Sequence, residues 1–399
     1  MKSLSEAVGR ARTLGAGLAL VLTTAMAAHA QVNAVYVESN ISTTNNNTII
    51  GFSNDGSGNL TPLPGSPYKT GGTGWGGSLG IQQDDDQQVV TNTAGTLLFA
   101  VNGHSNTIAS FTINADGSLT PNGSPIQSAG TQPASLGLFD NVLPNGASLL
   151  VVANKSSDPS QTNSKIPNLS TFTVSATGVM TANVGLKVNL ASGDSPSQAA
   201  VGQAKLLFVD EFMHSPSQLS SYRIHANGKL TLNNSIAVPT GLNVFLGLAV
   251  HPTASVLYAA LPADNQIGVY TYVNGTGVLS FVTTVPTTGS LACWLGISPD
   301  GSRLYSGETG SGTITVYDTS NPTAPVQLQH YTMSTVGDSK PAPWELKFDP
   351  TGKFLYAVSN QYLHVINVAA DGTLSETVNP VNLNVPAGTF PYGLATVLR

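Results

Sequence analysis

Two stretches decide the fold when one is laid over the other. Gly95-Thr-Leu-Leu-Phe99-Ala-Val-Asn102 leads into Thr107-Ile-Ala-Ser-Phe111-Thr-Ile113 and then Asp116-Gly117-Ser-Leu119-Thr120. Gly352-Lys-Phe-Leu-Tyr356-Ala-Val-Ser359 leads into Tyr362-Leu-His-Val-Ile366 and then Asp371-Gly372-Thr-Leu374. Each reads as a turn, an apolar strand carrying one aromatic, a loop, an alternating strand, a tight turn and a further strand. The aromatic or apolar slot recurs at Tyr36, Phe99, Val151, Phe208, Tyr258, Tyr305 and Tyr356.

Neighbouring slots lie roughly fifty residues apart, the spacing of propeller blades. Upstream of the slot stands another apolar strand closed by a turn, as in Leu246-Gly-Leu-Ala-Val-His-Pro252, Leu295-Gly-Ile-Ser-Pro-Asp-Gly301 and Leu346-Lys-Phe-Asp-Pro-Thr-Gly352. Proline presets one φ of such a turn and glycine accepts a positive one. The unit is thus a four-stranded sheet, which cannot bury both faces alone but does so when blades stack around a channel. The first unit opens on the slot strand at Ala34-Val-Tyr-Val37 with no strand before it. The last segment, Phe390-Pro-Tyr-Gly-Leu-Ala-Thr-Val-Leu398, has no slot strand after it. Pairing these two orphans closes the ring. The expectation is an all-β, seven-bladed propeller of four-stranded antiparallel blades over residues 31–399.

Residues 1–30 read differently. Lys2, Arg10 and Arg12 give a basic start, Leu14 to Ala28 an apolar run, and Ala28-His29-Ala30 the small residues a signal peptidase accepts. They are read as a signal peptide, which makes the domain secreted or periplasmic. The run is too short for a membrane span, and none is expected later. Charged residues are 9% of the chain and the net charge is −6, so neither a helical protein nor a nucleic-acid partner is expected. Cys293 is the only cysteine, which excludes an intrachain disulfide and is safest buried.

Phrases such as Leu98-Phe-Ala-Val-Asn102 with Ser105-Asn-Thr-Ile108, and Ser298-Pro-Asp-Gly-Ser-Arg-Leu-Tyr305, resemble the lactonase-type seven-bladed propellers. That family includes bacterial 6-phosphogluconolactonases and fungal carboxymuconate-lactonising enzymes. The resemblance implies lactone hydrolysis at the channel mouth, where family members carry His and Arg. The matching positions here are Gln132-Pro-Ala-Ser135, Ser195-Pro-Ser-Gln198, Cys293-Trp-Leu295, Pro343-Trp-Glu345 and Phe390-Pro-Tyr392, and none holds His or Arg. A phosphorylated sugar lactone is therefore a poor substrate for this chain. The rival reading is a non-catalytic extracytoplasmic scaffold binding a protein or glycan.

Candidate residues follow from position. Glu345 stands where the innermost strand meets the channel mouth, and a carboxylate there suits general acid–base work on an ester. Glu211 and Glu308 rank behind it as catalytic candidates. Glu211 is grouped with Asp210, His214 and Arg223, and its plainer reading is a rim salt-bridge group on a loop. Trp294, Trp344 and Tyr392 are expected to ring the mouth and stack on a sugar-like ligand, or else to pack between blades. Asp84-Asp85-Asp86 reads as a solvated turn rather than a Ca²⁺ site. Gly72-Thr-Gly74-Trp-Gly76-Gly77 and Gly76-Gly-Ser78-Leu-Gly80 match nucleotide and serine-elbow patterns, but no helix follows either, so they read as a loop over the rim. His104, His251 and His364 lie in different repeats with no ligand spacing. No metal or cofactor is expected, and the domain is expected to be a monomer.

The signal-peptide reading is checked by N-terminal sequencing of exported protein, which should begin Gln31-Val32-Asn33. An intact Met1 terminus outside the cytoplasm would exclude it.

Overall fold

The structure, a computed structural model, describes residues 31–77, 85–156 and 166–399. Residues 1–30, on which the signal-peptide expectation falls, lie outside these, as do Ser78, Gly80 and Asp84 of the motifs above. Seven antiparallel sheets succeed one another along the chain. Within a blade the strands run from the axis outward in chain order, as in blade four: Pro196–Val201, Leu206–Glu211, Gln218–Ile224 and Leu230–Ala237.

Blade one is assembled from both ends of the chain. Its innermost strand is Tyr392–Leu398 and its second strand is Asn33–Glu38, in register Ala34↔Val397 and Tyr36↔Ala395. Val32 and Arg399 extend the pairing, each donating its N–H to the other's carbonyl at 2.6 and 2.8 Å. The two orphan segments therefore meet as their sequence required.

The second strand of every blade is sandwiched by its neighbours, so both of its faces are apolar. Leu97–Asn102 and Phe354–Ser359 are buried at every position. All seven slot residues are fully buried. They also link blade to blade. The hydroxyls of Tyr36, Tyr258 and Tyr305 donate to Gly117 O (2.7 Å), Pro322 O (2.7 Å) and Gly372 O (2.9 Å), each in the turn before the outer strand of the next blade. Tyr356 in blade seven instead accepts from Asn54 Nδ2 in blade one at 2.7 Å. Where the slot holds phenylalanine, the cross-strand partner takes over. Phe99 pairs with Ser110 and Phe208 with Ser221, and those serines donate to Gly178 O (2.9 Å) and Gly277 O (2.6 Å) of the following blades. Each such bond contributes about 0.5–1.5 kcal/mol and fixes the angle between blades.

The outer strands depart from the single strand expected. In blades one, two, three and seven they are in two pieces, such as Leu119–Pro121 and Ile126–Gln127. In blades four to six they are continuous but shift register opposite Ser221/Tyr222, Val269/Tyr270 and Val316/Tyr317. The cause is one recurrent bulge, widened to a break in four blades, which bends the exposed edge and discourages pairing with another chain.

Deleting Phe390 onward removes the inner strand of blade one and exposes two sheet edges. The truncated protein should lose its cooperative melting transition and elute as aggregate in size-exclusion chromatography. A soluble monomer of unchanged Tm would contradict closure by this strand.

Candidate functional site

The innermost strands surround an axial cavity of about 370 Å³. Every blade contributes to its apolar wall, among them Ala395, Val89, Leu138, Ala200, Leu248, Leu295 and Leu346. Its polar side chains are Asp86, Gln87, Thr91, Gln198, Glu345 and Lys347. No histidine or arginine is among the described residues that line it.

The polar groups are brought together by residues 85–88, which lead into the inner strand of blade two and reach across to blades three and four. Asp86 N donates to Ser197 O (3.0 Å), and Leu136 N donates to Gln87 O (3.0 Å). The Gln87 side chain returns a bond to Leu136 O at 2.6 Å. Gln87 adopts φ 69°, the left-handed turn that lets its carbonyl and its side chain serve the same strand edge. Gln198 continues the belt, its Oε1 accepting from Leu248 N in blade five. These amides satisfy inner-edge groups that no strand pairs.

Asp86 and Glu345 both line this cavity, and each influences the other's ionisation; Glu345 Oε2 has no hydrogen-bond partner among the described residues. Glu345 is 2% exposed. Burial, reinforced by the neighbouring Asp86 charge, raises its pKa well above the usual carboxylate range, against the pull of Lys347. Burial also lifts Asp86, to about 6, while Lys347 and the interaction with Glu345 oppose the rise. Two carboxyls raised in one cavity disfavour double ionisation.

The other candidates occupy different places. Trp294 and Trp344 are each 1% exposed and pack between blades instead of ringing an open mouth. Trp344 stacks on Tyr392 (centroids 6.3 Å apart, 20° between planes) and meets Phe390 edge-on, while Trp294 sits with Leu246 and the buried Cys293. Glu211 and Glu308 are the last residues of second strands, not loop groups, and both are buried. Glu211 accepts from Ser220 Oγ (2.5 Å) and Gln218 Nε2 (2.9 Å); Glu308 accepts from Thr313 Oγ1 (2.5 Å) and from Thr315. Glu38, Asn102, Asn154 and Ser359 end the equivalent strands of four other blades: Glu38 accepts from Asn47, while Asn102, Asn154 and Ser359 donate to Thr107, Ser170 and Asp338. In these six blades the position anchors a nearby strand or loop; in blade five it is Leu261.

Arg223 is not part of the Glu211 cluster, because it pairs opposite Leu206 at the far end of that strand. Asp210 faces inward and holds Ser197 Oγ and Gln198 N. On the rim, Asp194, Glu211 and His214 offer ligand atoms within 4.8 Å of one another, and Asp194 Oδ1 already holds His214 Nδ1 at 2.8 Å. His364 is buried in blade seven between Glu376 (3.3 Å) and Asp338 (3.7 Å), away from the cavity. The solvated-turn reading of the aspartate run is corrected for its described members. Asp85 and Asp86 are 8% and 6% exposed, because the crossing segment carries them inward. A run of acids in a charge-poor chain, directly before an inner strand, was the signal available. The glycine-rich loop packs on blades one and two: a side chain at Gly72 would strike Asn102, and one at Gly74 would strike the Asn40 backbone.

The family model for the seven-bladed β-propeller lactonases matches residues 244–391, which bears out the lactonase-type resemblance. No curated protein sequence matches the chain. Among solved structures, the Pseudomonas aeruginosa periplasmic gluconolactonase is similar over 92% of this chain and 99% of its own, with 16% identity and a TM-score of 0.70. A candidate 6-phosphogluconolactonase of Bacteroides fragilis matches over 92% and 98%, with 16% identity and a TM-score of 0.69. A Lactobacillus plantarum protein matches over 92% and 99%, with 15% identity and a TM-score of 0.70. At these identities the likeness is one of fold.

Glu345 binds its proton more tightly folded than unfolded. Its contribution to stability is therefore complete below the unfolded carboxyl range, around pH 4, and is lost as pH rises through its folded value. Glu345→Gln removes that dependence. The fall in Tm between about pH 5 and pH 8, followed by differential scanning fluorimetry, should be smaller in the variant than in the parent. Parallel curves would show that Glu345 is not buried with its proton.

Proposed function

We propose that the protein is an exported hydrolase of small, unphosphorylated lactones, working in the axial cavity with Glu345 and Asp86. The observation that carries this reading is the pair of buried carboxyls, Glu345 and Asp86, that line one cavity of about 370 Å³. Two carboxyls of different proton affinity supply an acid and a base in one site. The Asp86 carboxylate takes a proton from water as its oxygen attacks the lactone carbonyl. Glu345 gives its proton to the ring oxygen as the ester C–O bond breaks. The hydroxy acid leaves, and the remaining proton returns from Asp86 to Glu345. The product acid ionises in solution, so turnover is readable as proton release.

Charge selects the substrate. Lys347 is the only basic side chain among the described lining residues and faces two acids, so a phosphate is disfavoured and a neutral lactone is favoured. The leader of residues 1–30 supports a periplasmic or secreted setting. The second reading, a scaffold binding an extracellular protein or glycan without turnover, is favoured by the absence of His and Arg from the described lining and by the burial of all three aromatic candidates.

A panel of neutral lactones assayed by proton release should find a substrate. Glu345→Gln and Asp86→Asn should each lower kcat by about 10²–10⁴-fold while leaving the fold intact, the range typical of a positioned acid or base. Full activity in both variants would move the chemistry elsewhere. Glycan-array binding with no turnover of any lactone would favour the scaffold.

A further inference from the structure

A second, much smaller cavity, about 20 Å³, lies between blades one and two, where residues 85–88 leave the rim. That volume holds one water or one ion and no organic ligand. Six oxygen-bearing side chains line it, Glu38, Asn40, Asp85, Gln88, Gln132 and Tyr392, and no Lys, Arg or His does so among the described residues. Glu38 is 2% exposed and Gln88 3% exposed. Asn47 donates to Glu38 Oε1 at 2.7 Å, and Gln88 Nε2 donates to Asp85 Oδ1 at 2.8 Å. Glu38 Oε2 and Gln88 Oε1 are buried acceptors that meet no hydrogen-bond donor among the described residues.

The carboxyls of Glu38 and Asp85 and the orphaned oxygens of Glu38 and Gln88 border one ion-sized space. Leaving such groups dry and unpaired is costly. We propose that this cavity is a binding site for one divalent cation of the Ca²⁺ class, held by Glu38, Asp85 and Gln88. Oxygen-only ligands in irregular geometry suit Ca²⁺ better than Zn²⁺, which prefers nitrogen and sulfur, or Mg²⁺, which demands a near-ideal octahedron. The ion joins the end of blade one's second strand to both ends of the segment that crosses the axis. Its role is to pin that segment, and it does not depend on the lactonase reading.

The full-length mature protein, freed of metal with a chelator and titrated with CaCl₂, tests this without any assay of activity. Isothermal titration should give one site per chain, and 1 mM Ca²⁺ should raise Tm by about 3 °C or more. Glu38→Gln and Asp85→Asn keep the bonds to Asn47 and Gln88 yet should weaken binding at least about tenfold. Trp75 lines the same cavity and Trp344 stacks on Tyr392, which also lines it, so Tb³⁺ bound there should emit on tryptophan excitation, lose that emission to excess Ca²⁺, and emit more weakly in Trp75→Phe. This optical test stands even if the carboxylate variants fold poorly. No Ca²⁺ binding by the parent, or Tb³⁺ emission that excess Ca²⁺ does not displace, overturns the proposal.

Discussion

The hydrogen-bonded pairing of Asn33–Glu38 with Tyr392–Leu398 is the constraint from which the rest of the structure follows. A blade buries its two faces only if it has a neighbour on each side. An open arc would leave two terminal sheets each with one wet apolar face, and the fully buried slot residues show how much those faces depend on contact. Building blade one from both chain ends makes every sheet an interior sheet. The tyrosine and serine links to the next blade's turn then help to set the rotation between five of the neighbouring pairs.

Closure also creates the axis. Seven inner strands each present one backbone edge with no strand to pair it, and buried N–H and C=O groups require partners. Gln87 and Gln198 supply them across the cavity. Gln198 does so from blade four's own inner strand, and Gln87 from residues 85–88, which enter the axis. Once that segment is inside, the carboxyls of Asp86 and Glu345 line one cavity, where burial raises both pKa values.

The same physics separates structural acids from the candidate site. Glu211 and Glu308 are as buried as Glu345, but hydroxyl and amide donors of their own blades surround them. They behave as repeat positions, occupied elsewhere by Glu38, Asn102, Asn154 and Ser359. Glu345 has no such partner within its blade, and its neighbour comes from across the axis.

Local sequence by itself determined the blades. Strand alternation, the slot residue and the Pro-Asp-Gly type of turn are decided by neighbours a few residues apart, and the unmatched strands at 34–37 and 390–398 state the closure. Burial of Cys293 was legible for the same reason. Glu345 could be singled out because its place in the repeat sets its distance from the axis. Only tertiary structure decided the rest. Trp294 and Trp344 stand at the expected point of their strands, yet they face a neighbouring blade, because side-chain direction around a closed ring depends on how the blades are rotated. Asp85 and Asp86 carry no sign of burial in their own residues. They are drawn inward by hydrogen bonds to Ser197 and Leu136, roughly 50–110 residues further along the chain, which no local pattern records.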